Sequence, residues 1–179
     1  MTNDHATETA PISRERADLL ELLGQQRHFL RHTTRDLTDE QARLRTTASE
    51  LTLGGLIKHV TAVEANWARF IVEGPGAMDF SAMTEEDWAA WQDNFRLLPD
   101  ETLADALAAH AEVAARTDEL VRTVPDLDAE HPLPKAPWHE EGKHWSVRRT
   151  LMHIAAETSQ HAGHADIIRE SLDGAKSMG

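Results

Sequence analysis

The sequence predicts an all-α chain, a bundle of four long helices with short additional helices between them. Three observations carry this. Apolar residues recur every three to four positions along four separate stretches, no stretch alternates apolar with polar residues as a half-buried strand does, and no repeat or glycine-rich phosphate loop breaks the pattern. Residues 1–12, rich in Thr, Asn, His, Glu and Pro, read as a disordered lead-in; residues 13–174 read as one domain and 175–179 as a tail.

Ser13 is placed to cap the first helix, over 15–35, where Leu19, Leu20, Leu22, Leu23, Phe29 and Leu30 recur at helical spacing and Gly24 weakens the middle. A turn at 37–41 follows, with Thr38 capping a short helix. The next long helix spans 52–72 and ends before Gly74-Pro75-Gly76; its Leu56, Val60, Val63, Trp67 and Phe70 cluster within about 100° of one another, with His59 on the same side. The spacing of Trp88, Trp91 and Phe95 predicts a short helix capped near Thr84 with Glu85 and Glu86 in its first turn, and the two tryptophans read as packing residues. An alanine-rich helix over 100–124 turns Leu103, Leu107, His110, Val113, Ala114, Thr117, Leu120 and Val121 inward; His110 has no partner ligand on its own helix and is read as core. A proline-bearing connection of about 20 residues leads to the last helix. It reads as a plain linker or, through His131, Trp138, His139 and His144, as a lid.

The last helix is the most informative. At about 100° per residue, His153, Glu157, His161 and His164 sit near 0, 40, 80 and 20° around its axis, with Ile154, Ile167 and Ile168 beside them. Burying imidazoles and a carboxylate among apolar neighbours is costly unless something pairs with them, and a divalent cation satisfies several at once. The other reading is a helix whose histidines are hydrogen-bonded core or rim residues. His59, from a separate helix, is the third donor a bundle-core metal site needs, and Glu157 and His161, four apart, reach one ion from adjacent turns. Three protein ligands leave a coordination position open, as catalysis requires.

Composition narrows the function. Eighteen basic against 31 acidic residues give a net charge of −13, which disfavours nucleic acid and anionic membrane as partners. No apolar run approaches the length of about 20 residues that spans a membrane, and the N-terminus lacks a signal-like pattern, so the expected location is the cytoplasm. With no cysteine the protein has no thiol of its own, and sulfur chemistry has to come from a substrate.

The segments LGGLIKHVTAVEANW and HIAAETSQHAGHADIIRESLDG closely resemble the actinobacterial branch of the DinB/YfiT-like superfamily, the mycothiol-dependent transferases, and the resemblance runs from about residue 15 to 174. It implies a DinB-like four-helix bundle with a metal held by His59, Glu157 and His161. Many members have histidine where Glu157 stands; glutamate matches the His, Glu, His set of the mycothiol-dependent maleylpyruvate isomerases. His153 and His164 are expected to hydrogen-bond to the ligands from behind, with His164 the alternative ligand that could take a coordination position itself. Asp166 and Arg169 also match; their angles, about −140° and 160°, assign Asp166 a cap or salt bridge and Arg169 an outer ion pair.

The implied function is S-transfer from mycothiol to a small electrophile on a divalent metal, zinc ahead of nickel, manganese or iron. Metal coordination deprotonates a thiol whose solution pKa is about 8.5. The alternatives are a mycothiol-dependent isomerase of the maleylpyruvate type and a non-catalytic, metal-binding bundle that pairs as a homodimer, with Trp88, Trp91 and Trp138 feeding the interface.

Overall fold

The computed structural model describes residues 12–78, 83–136 and 138–177, so the expected lead-in, apart from Ile12, and the last two tail positions lie outside the described residues. Those described form α1 (Arg14–His32), α2 (Asp39–Arg43), α3 (Leu53–Glu73), α4 (Glu85–Asp93), α5 (Leu103–Thr123) and α6 (Val147–Asp173). A 3-10 turn at Gly74–Ala77 follows α3, and β1 (Glu130–Pro132) pairs antiparallel with β2 (His144–Ser146) ahead of α6. No helix among the described residues is long and apolar enough to cross a membrane.

Each α-helix begins at a Ser or Thr whose hydroxyl accepts from a backbone N–H in the first turn: Ser13, Thr38, Thr52, Thr84, Thr102 and Ser146. These caps satisfy donors that the helix itself leaves open. Gly174 ends α6 at φ 78, a conformation that glycine adopts without a Cβ penalty.

The β1–β2 ribbon corrects the strandless expectation. Its three-residue strands are too short to show alternation, and they form because the connection folds back with Glu130 opposite Ser146 and His131 opposite Trp145.

Packing centres on α3, which lies against α5 and α6, while α1 packs mainly on α6. One apolar cluster joins Leu23, Trp67, Phe70, Val121, Leu151 and Ile154; a second joins Leu30, Leu56, Val60, Leu103, Ala165 and Ile168. A buried polar layer lies between them in every long helix. In it Arg27 donates to Glu64 at 2.5 Å and to Asp118 at 2.7 Å, and His110, 1% exposed, has neither ring nitrogen hydrogen-bonded among the described residues. His110 is thus core, as expected, but a core residue with unmet polar groups.

Arg169 departs from the outer role expected of it. It is 5% exposed, donates to the carbonyls of Thr33 and Arg35 at 2.8 and 2.7 Å, and pairs with Asp173, tying α6 to the end of α1. Asp166 does point away from the ligand column and accepts from the Ser177 N–H at 2.7 Å. Ile167, expected among the apolar neighbours, is 60% exposed. The buried residues of α6 centre about 130° from His153, so a side chain near −40° faces solvent.

Candidate metal centre

That same offset defines the site. Glu157 and His161 lie about 50 to 90° from the centre of the buried face, at its edge, so their side chains keep 29% and 12% exposure. From α3, His59 meets them 8% exposed. One donor atom from each of His59, Glu157 and His161 falls within 4.8 Å of the others. Nε2 of His161 is 3.7 Å from a Glu157 oxygen, and the rings of His59 and His161 meet edge to face at 4.8 Å.

The sequence places His59 through Gly55. An added Cβ there would lie 2.0 Å from the carbonyl oxygen of Phe95, so only glycine lets the chain after α4 rest on the start of α3. Lys58 holds it there, donating to the carbonyls of Asp93 and Arg96 and pairing with Glu101 at 2.6 Å. Phe95 consequently stacks on the His59 imidazole at 4.2 Å. Burial, and His161 beside it, push the His59 pKa down to about 4; burial also lowers His161 and His153. All three imidazoles are neutral at pH 7 and keep a lone pair for a ligand.

His164 and His161 approach Nδ1 to Nδ1 at 3.4 Å. With His161 donating from Nδ1, its Nε2 lone pair faces Glu157, the tautomer a ligand needs. His153 reaches the other Glu157 oxygen at 3.8 Å and is held edge-on between Trp67 and Trp145, at 4.9 and 4.8 Å.

Beside the triad opens a cavity of about 360 Å³, reaching from His59 and Glu157 past His153 to Trp67, Trp91, Trp138, His139 and Trp145. The connection therefore supplies part of the wall. Trp138 and His139 line it, and His139 is fixed by Nδ1 donating to the Pro134 carbonyl at 2.9 Å. His131 instead packs on Phe70, and exposed His144 pairs with Glu130, so neither reaches the cavity.

Of the tryptophans read as packing, Trp91 lines the cavity and Trp88 is 41% exposed, while Phe95 near them covers His59. Sequence reasoning passed over Trp145, Arg149 and Asn66, all in the cavity wall. A signal existed for two of them: Trp145 and Arg149 continue the column His153, Glu157, His161 at intervals of four.

The donor set fits a divalent cation: two neutral imidazoles and a carboxylate from two helices, at the mouth of a cavity. Four-coordinate zinc needs neighbouring donors about 3.4 Å apart, so the side chains have to draw in by about an ångström from the widest separation.

Comparison with curated proteins finds no match. The model of the mycothiol S-transferase family matches residues 18–174, which takes in α3, α6 and the triad, and the architecture is the all-α DinB-like bundle. The chain belongs to the mycothiol S-transferase family.

Proposed function

We propose that the protein is a metal-dependent S-transferase that joins mycothiol to a small electrophile. The observation that carries this is the His59, Glu157 and His161 triad, with donors within 4.8 Å, opening onto a tryptophan-walled cavity in a chain without cysteine. These three residues hold the metal. Zinc suits two imidazoles and one carboxylate best, and nickel, manganese and iron accept the same donors. A divalent cation there supplies the Lewis acidity that lets a thiol of solution pKa about 8.5 act as thiolate near pH 7.

The chain's own side chains do the rest. His164 fixes the His161 tautomer, His153 orients Glu157, and the tryptophan wall excludes water and takes the apolar body of the electrophile. In the transfer, sulfur bonds to the electrophilic carbon, the leaving group departs with its bonding electron pair, and the thiol proton passes to solvent. The protein works in the cytoplasm on two small molecules.

Metal analysis of purified protein tests the ligand set: one ion per chain is expected, lost in His161→Ala, strongly weakened in Glu157→Gln and kept in His139→Ala. Equal occupancy in the His161 and His139 variants overturns it. Conjugation of mycothiol with an electrophile should be accelerated by metal-loaded protein and not by chelated protein. A broad electrophile panel without metal-dependent turnover refutes the transferase reading.

A further inference from the structure

Besides its tryptophans the cavity wall carries polar side chains: His59 and Glu157 of the triad, His153 beside Glu157, His139 held by the Pro134 carbonyl, and two more, Arg149 and Asn66, outside the triad. Arg149 on α6 lies one turn before His153, its guanidinium over the Trp145 ring at 4.1 Å. Asn66 on α3 lies two turns after His59, half-buried, across the same cavity. Among the described residues neither side chain has a hydrogen-bond or ion-pair partner.

For Asn66 this matters because a half-buried amide loses water without replacing it. Arg149 differs from Arg148 beside it, which pairs with both Glu15 and Asp128. The stack on Trp145 holds the Arg149 guanidinium in one place and leaves its N–H groups free to donate.

Electrostatics point the same way. In a chain of net charge −13, the only carboxylate in the cavity wall among the described residues is Glu157, which the triad uses. With a cation on the triad, Arg149 leaves the cavity net positive. A small tryptophan-walled pocket with two such donors in its lining suits a ligand with a flat apolar body and an anionic, planar acceptor.

We propose that the electrophile is a carboxylate-bearing molecule with a flat apolar body, the body resting against Trp67 and Trp145 and the carboxylate taken by Arg149 and Asn66. This rests on the transferase reading for the identity of the ligand as the electrophile. Mycothiol is not the source of the anion, because its cysteine carboxyl is tied up as an amide.

The test uses metal-loaded protein and two readouts. First, turnover of mycothiol with 4-(chloromethyl)benzoate is compared with turnover with uncharged 4-(chloromethyl)toluene. The acid is expected to have kcat/KM about tenfold higher, the effect of one partly exposed charge-assisted hydrogen bond. In Arg149→Met, which keeps an unbranched side chain on Trp145, the ratio should collapse toward one; Arg149→Lys should recover part of it.

Second, binding of unreactive 4-methylbenzoate is followed by tryptophan fluorescence, against uncharged 4-methylbenzamide. The acid should bind about tenfold more tightly, and Arg149→Met and Asn66→Leu should each reduce that preference. Binding preference without turnover of these or any of a broad panel of electrophiles leaves the anion site standing and removes the transferase reading. Equal binding of acid and amide, or a preference untouched by Arg149→Met in a folded, metal-loaded variant, overturns the anion site.

Discussion

Replacing His110 with leucine should stabilise the protein, and by more in acid than at neutral pH. The imidazole is 1% exposed, and both ring nitrogens lack a hydrogen-bond partner, each a penalty of about 1–3 kcal/mol when it stays unmet. Leucine fills a similar volume with no polar atom, so a gain of about 1–3 kcal/mol is expected near pH 7.5.

The pH dependence follows from the titration. Burial is the largest influence on His110 and lowers its pKa from 6.5 to about 4, outweighing the attraction of Glu64. Between those values the unfolded chain binds a proton that the folded chain refuses. Stability therefore falls as pH drops below 6.5 and is fully retained above it. At pH 5 that linkage amounts to about 2 kcal/mol, and at pH 7.5 it is close to zero. His59 titrates in the same window, but it is present in both proteins and cancels.

Urea unfolding of the parent and His110→Leu at pH 7.5 and pH 5, with metal held constant, measures the difference. The gap between them should widen by about 2 kcal/mol in acid. A gap independent of pH, or a variant less stable than the parent at both, refutes the account of an unmet buried imidazole.

Two further expectations concern the same bundle. Arg27 and Glu64 are 7% and 1% exposed as side chains, so Glu64→Leu strands a buried guanidinium with only Asp118 and should cost about 3–5 kcal/mol. The double variant Arg27→Met/Glu64→Leu should regain most of that in urea unfolding; a double variant as unstable as the single one argues against the pairing. Gly55→Ala puts a methyl 2.0 Å from the Phe95 carbonyl and should cost about 1–3 kcal/mol. It should also shift the His59 ring resonances as Phe95 lifts away, whereas unchanged stability and spectra would mean that this approach is not tight.

Much of the architecture was legible because helices report themselves locally. The apolar spacing of 15–35, 52–72, 100–124 and the last helix, with Ser13, Thr38 and Thr84 as caps, needs only neighbours within one or two turns. The four-residue spacing that puts Glu157 next to His161 is a property of one helix and was readable in the same way. The ribbon was not, because pairing His131 with Trp145 depends on how a connection folds back rather than on any local period.

What the sequence determined by itself is the set of long helices and the apolar stripe along each, since 3.6-residue periodicity and capping are encoded within each segment. Only tertiary structure decided where on those faces the chemistry falls. The angle between the ligand column and the buried centre of α6 makes Glu157 and His161 rim residues instead of core, and buries Arg169 where an outer ion pair was expected. The approach of Phe95 over Gly55 covers His59, and the ribbon that brings Trp145 against Trp67 at 4.9 Å walls the cavity, both from segments remote in the chain. Such contacts depend on crossing geometry and loop closure, which no periodicity records.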